Sequence, residues 1–252
     1  MSNNVTSTPV ISPATLNGRV ESSGRHMHFV RSSLGKKYLM AASGLVLLLF
    51  VIGHMVGNLQ FFLGPTQINI YGNFLQTTPE LLWSVRIILL IMVVLHIYTA
   101  TAISLENRAA RPVPYGRYQP LAASYASRRM LMGGLIVAAF IAYHLLHYTA
   151  EVKAVNLTGQ DFATFKDASG HHDIHRMMVI GFSNPWVTLF YLVGVGLLAL
   201  HLSHGASSMF QSLGWKNGRV GPWIDRLALA GSIILFAGYA SIPLSVLTGL
   251  VK

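Results

Sequence analysis

Eleven histidines are spread through this 252-residue chain, and several stand where histidine is least expected. His201 and His204 lie three residues apart in "LALHLSHGASSMFQSLG", and His144 and His147 repeat that spacing in "AAFIAYHLLHYTA". His54 and His96 sit singly in two other apolar runs. An imidazole in hydrocarbon is costly unless a partner takes up its lone pair or its proton. Neutral imidazole can accept a hydrogen bond, carry a proton or bind a metal.

The elements that carry these residues are built for lipid. Apolar residues make up 52% of the chain and charged residues 10%, against about a quarter charged in soluble domains. Mean hydropathy is +0.51. Five runs, approximately 38–62, 83–105, 130–150, 186–210 and 227–250, reach the roughly 20 residues that a membrane-crossing helix needs. Gly133, Gly134, Gly194, Gly196 and Gly238 fit close approach of helices or of a cofactor, and Pro243 is expected to kink the fifth span. The fold expected is all-α and integral to the membrane, with a tail at 1–30 and a membrane domain at 31–252. Residues 1–37 lack the apolar core of a signal peptide, so the first span is expected both to target the chain and to stay in it.

Charge placement sets direction. Of the 18 Lys and Arg, thirteen flank one side: the N-terminal segment, the loop between spans two and three, and the loop between spans four and five. The positive-inside rule makes that side cytoplasmic, with the N-terminus inside and the C-terminus outside. The net charge of +10 is distributed as flanks, not as a basic tract, so a nucleic-acid partner is not expected. The absence of cysteine excludes disulfides, thiolate metal sites, iron–sulfur ligation and covalent haem attachment within this chain. In the outer loop 151–185, "SGHHDIHRMM" sets His171, His172 and His175 at metal-binding spacing. The favoured reading there is a short interfacial helix with solvated histidines, because no acidic or thiol support is visible in the sequence. "NLT" at 156–158 matches a glycosylation acceptor.

Each of the first four spans carries a histidine in its apolar part, and the fifth carries none. Counting at 1.5 Å per residue sorts them by depth. His54 and His144 form an outer pair and His96 and His201 an inner pair, roughly 10–15 Å apart along the normal. No Asp or Glu lies deep in a span to pair with them. Two imidazoles at one height on different helices can clamp a planar macrocycle from both faces, which is the geometry of bis-histidine haem. Arg31, Lys36, Arg128 and Arg129 at the cytoplasmic boundary would either pair with inner-haem propionates or serve only as positive flanks.

The stretches "SSLGKKYLMAASGLVLLLFVIGHMVGNLQFFLG", "YHLLHYT" and "GFSNPWVTLFYLVGVGLLALHLSHGASSMFQSLGW" resemble the cytochrome b membrane anchor of succinate:quinone oxidoreductases. That is the single-chain type with five helices and two haem b groups, shared by succinate dehydrogenases and fumarate reductases. The resemblance covers residues 31–250. It implies a bacterial cytoplasmic membrane location, with a flavoprotein subunit and an iron–sulfur subunit on the cytoplasmic side. It also implies a quinone acceptor, menaquinone being usual for the two-haem type, and leaves room for a higher oligomer of the complex. Its ligand pattern falls on His54 with His144 for the outer haem and on His96 with His201 for the inner haem. The second histidines, His147 and His204, are then left to bond a propionate, a carbonyl or quinone, or to back the haem. The acidic residue that some relatives use inside the helices to carry protons is missing; Glu80, Glu106 and Glu151 lie near span ends. Rival readings are the haem subunit of another respiratory dehydrogenase, and a transporter that uses histidines as proton carriers.

Overall fold

Polar caps and prolines start the helices. The Ser32 side chain accepts a hydrogen bond from the Gly35 backbone N–H at 3.0 Å, and Asn184 does the same for Trp186 N–H at 3.0 Å. Pro65, Pro79, Pro185 and Pro222 occupy first-turn positions where no backbone donor is missed. The computed structural model describes residues 31–110 and 125–252, except the side chains of 125–129. The tail 1–30 and the side chains of Arg128 and Arg129 lie outside the described residues. In chain order the helices are α1 (Ser33–Leu59), α2 (Pro65–Thr77), α3 (Pro79–Ala109), α4 (Tyr125–Tyr148), α5 (Ile174–Ser183), α6 (Pro185–Ser212) and α7 (Gly221–Leu247). Short 3-10 turns cover Gln60–Leu63 and Phe162–Thr164. The described residues contain no strand, only one isolated bridge between Lys166 and His172.

Helices α1, α3, α4, α6 and α7 are long and apolar enough to cross a membrane. Their 24 to 31 residues give about 36–46 Å, more than the roughly 30 Å of hydrocarbon, so their ends project past it. Each begins before the span read from hydropathy, α7 by six residues at its proline-capped turn, while α1, α4 and α7 end two or three residues short of it. Helix α7 continues through Pro243. Lipid-type side chains face outward, among them Leu49, Leu90 and Leu227 at 60–69% exposure. Exposed tryptophans mark both ends: Trp83 and Trp186 at the starts of α3 and α6, Trp215 and Trp223 at the opposite end. Arg86 and Arg226 lie over the rings of Trp83 and Trp223, at 5.2 and 5.4 Å.

Four of the spans form a square. Helix α1 packs on α3, α3 lightly on α4, α4 on α6 and α6 back on α1, while α7 lies outside against α6 and α1. The diagonals α1/α4 and α3/α6 make only marginal backbone approach. Small residues set the tight edges. A Cβ on Gly194 would stand 2.3 Å from Phe140, and one on Gly238 2.4 Å from the Met55 sulfur. Gly133, by contrast, faces no neighbour.

Helices α2 and α5 are too short to span and form a cap at the Trp83/Trp186 end. Buried Asn69 ties it together, donating to Asp173 Oδ1 at 3.1 Å and Asp167 Oδ2 at 3.3 Å, and accepting from His175 N–H at 3.0 Å. Beneath the cap lies a core of Phe61, Phe140, Met178, Phe182, Val187 and Tyr191. The expectation of solvated loop histidines is corrected here. Only His171 is open; His172 and His175 are buried. His175 stacks on Phe61 at 4.7 Å, and His172 Nε2 lies 3.2 Å from Glu151 Oε1. Acids therefore stand beside two of these histidines: Glu151, 21 residues before His172, and Asp167, four residues before His171 at 3.6 Å. Among the described residues no three or more metal-ligating side chains gather. Burial holds His175 below its ordinary 6.5. Asp167 also lies below its ordinary value: desolvation pushes it up, but hydrogen bonds from His171 N–H, Ser169 N–H and Asn69 outweigh that. The Asn156 amide of "NLT" is turned inward and donates to the Gln160 carbonyl at 2.8 Å, which leaves it poorly placed as a glycan acceptor.

Candidate functional site

The diagonals of the square, whose backbones stand apart, are bridged by imidazoles. His54 on α1 faces His144 on α4 with ring centroids 5.8 Å apart and planes at 77°. His96 on α3 faces His201 on α6 at 6.2 Å and 68°. All four residues are half-buried; His96 and His201 stand well inside their helices, whereas His54 and His144 lie five and four residues before the ends of α1 and α4.

Glycine clears the inner level on both sides. A Cβ on Gly44 of α1 would stand 3.2 Å from His96 Cε1, and one on Gly134 of α4 would stand 3.3 Å from His201 Cε1. Gly44 and Gly134 each precede the outer histidine of their own helix, His54 or His144, by ten residues. At 1.5 Å per residue the two levels lie about 15 Å apart.

The rings are held from behind. His96 Nδ1 lies 3.2 Å from the Met40 carbonyl and 3.3 Å from Ser43 Oγ. The Tyr191 hydroxyl on α6 lies 3.4 Å from His144 Nδ1 and 3.1 Å from His147 Nδ1. The Asn58 amide lies 3.3 Å from the ring nitrogens of His54. His201 Nδ1 is buried and has no hydrogen-bond partner among the described residues.

The ring pairs use the first histidine of each H-x-x-H. The second ones have other neighbours: His147 is wholly buried, stacks on Tyr148 at 4.0 Å and leaves Nε2 without a partner. His204 Nε2 meets Ser208 Oγ at 3.0 Å. Arg31 is exposed at the foot of α1. Lys36 is bound to Glu106 of α3, which also accepts from Ser33 Oγ at 3.0 Å. Its charge is thus matched within the chain, an outcome that neither role considered for it from sequence anticipated. Glu80 is an exposed residue of the first turn of α3.

These residues fit a tetrapyrrole iron. Two imidazoles, each about 2 Å from one metal, have ring centres about 6 Å apart, and both pairs meet that spacing. The donors are neutral nitrogens, as the lack of buried counter-charge requires. Ser43, Gly44, Asn58 and Tyr191 are the site residues that sequence reasoning missed. Only the serine-glycine step in "AASGL" offered a signal there, as small residues in an otherwise large-residue helix.

Comparison with protein-family models, with curated proteins and with solved structures found no match to this chain.

Proposed function

We propose that this chain is the two-haem b membrane-anchor subunit of a succinate:quinone oxidoreductase in a bacterial cytoplasmic membrane. The observation that carries the reading is the pairing of histidines across both diagonals of one four-helix square, at two heights. When bound, haem b supplies one-electron chemistry between an iron–sulfur subunit on the cytoplasmic side and a membrane quinone, menaquinone by the family resemblance. The protein's part is to hold and insulate. His54 with His144, and His96 with His201, present neutral nitrogen donors from opposite sides. Met40, Ser43 and Tyr191 orient those rings, and Gly44 and Gly134 leave room beside the inner pair. The apolar walls and the cap of α2 and α5 keep bulk water from the donors, which preserves their neutral form.

The proposed orientation puts the N-terminus and the basic flanks inside, where a flavoprotein and an iron–sulfur subunit would dock. The test is purification of a tagged chain from its native membrane. The expected result is two co-purifying soluble subunits and succinate-dependent quinone reduction. Subunits of a formate, hydrogen or nitrate enzyme would contradict the succinate assignment while keeping the haem scaffold. Purification alone, without haem, would contradict both.

A further inference from the structure

We infer that Ser43, with the Met40 carbonyl one turn before it, is the positioning element for His96: it fixes which ring nitrogen carries the proton and so which one faces the bundle centre as a donor. The inference rests on the two-haem reading and concerns the inner site alone.

A carbonyl oxygen only accepts, so the 3.2 Å contact between His96 Nδ1 and Met40 O requires the proton on Nδ1. Ser43 Oγ, 3.3 Å from the same nitrogen, points the same way. Its own hydrogen goes back along the helix, to the Leu39 carbonyl at 2.8 Å or the Met40 carbonyl at 3.1 Å. What it turns toward His96 is therefore a lone pair. Both neighbours of Nδ1 are acceptors, which leaves the basic lone pair on Nε2. Ser43 is fully buried, at 0% exposure, so water does not compete for the ring. Gly44 completes the cradle, since any side chain there would press on His96 Cε1 at 3.2 Å.

The partner ring is treated differently. His201 Nδ1, at the same level, is buried with no acceptor among the described residues. The inner pair is thus one anchored imidazole and one unanchored. An acceptor on Nδ1–H makes imidazole a stronger donor through Nε2, which favours the oxidised metal and lowers its potential. Ser43 and its helix turn accordingly bias the inner site through His96 and leave the outer site alone.

The test uses the intact complex carrying Ser43→Ala, Ser43→Thr or Gly44→Ala, with redox titration and low-temperature electron paramagnetic resonance of each haem. Ser43→Ala is expected to keep both haems, to raise the midpoint of one and to alter its g values, with the second unmoved. Ser43→Thr, which keeps the hydroxyl, is expected to restore the wild-type potential. Gly44→Ala is expected to disturb the same haem that Ser43→Ala does, which covers the case in which Ser43→Ala does not assemble. Wild-type titration of Ser43→Ala, or a shift confined to the haem lost in His144→Ala, would overturn the inference and leave the proposed function standing. A wild-type complex without haem would overturn both.

Discussion

Four half-buried imidazoles on apolar helices make a demand that no carboxylate among the described residues meets. The first histidine of each H-x-x-H faces a partner ring; the second rests on Tyr148 or Ser208. On the proposed reading, His201→Ala lowers haem from two to one per chain, whereas His204→Ala keeps two; the reverse outcome would exchange their roles. His147→Ala is expected to keep two haems while costing about 1–3 kcal/mol of stability, because it strips a partner from the Tyr191 hydroxyl. Thermal denaturation followed by haem release checks that value. The histidines were legible in the sequence because imidazole is conspicuous among Leu, Ile and Val. Ser43 and Tyr191 were not, because buried serines and tyrosines are ordinary in membrane helices and their meaning comes from rings on other helices, 53 and 47 residues away.

At the scale of elements, the five spans were legible because about twenty apolar residues in water have no alternative home. Their starts were not, because Ser32, Asn184 and the first-turn prolines begin α1, α3, α6 and α7 ahead of the hydrophobic stretch. Helices α2 and α5 were illegible as a unit: what joins them is Asn69 reaching Asp167 and Asp173, about a hundred residues on. Asn69→Ala is expected to loosen the cap by about 1–3 kcal/mol, since it strips the acceptor from the buried His175 N–H and one donor from each of the half-buried Asp167 and Asp173. Protection of residues 149–183 in hydrogen exchange is the measurement, and unchanged protection would contradict it. The cap is also expected to weaken in acid. His175 and Asp167 both have folded-state values below their ordinary 6.5 and 3.8, so each takes up protons more readily when the cap opens. Their stabilisation is complete above those ordinary values and is lost as pH falls, through His175 first. Exchange in the cap should therefore be faster at pH 5 than at pH 7.5, after correction for intrinsic rates; equal protection would refute the assignment to His175.

For the molecule as a whole, the sequence puts thirteen of its 18 Lys and Arg in segments expected on one side of the spans. A C-terminal tag is therefore expected to be cleaved by protease added outside intact cells, and an N-terminal tag to be protected. The square of α1, α3, α4 and α6 is made by the four spans that carry the paired histidines; α7 lies outside it, carries no histidine, and meets the outer pair through Tyr239, whose ring lies 6.2 Å from His54. On the proposed reading each diagonal closes on one iron. Haem content per chain is to be measured on the purified complex together with the spin state of its iron. The expected result is two haem b per chain, both six-coordinate and low-spin. One haem, none, or a high-spin five-coordinate iron in place of either would contradict it.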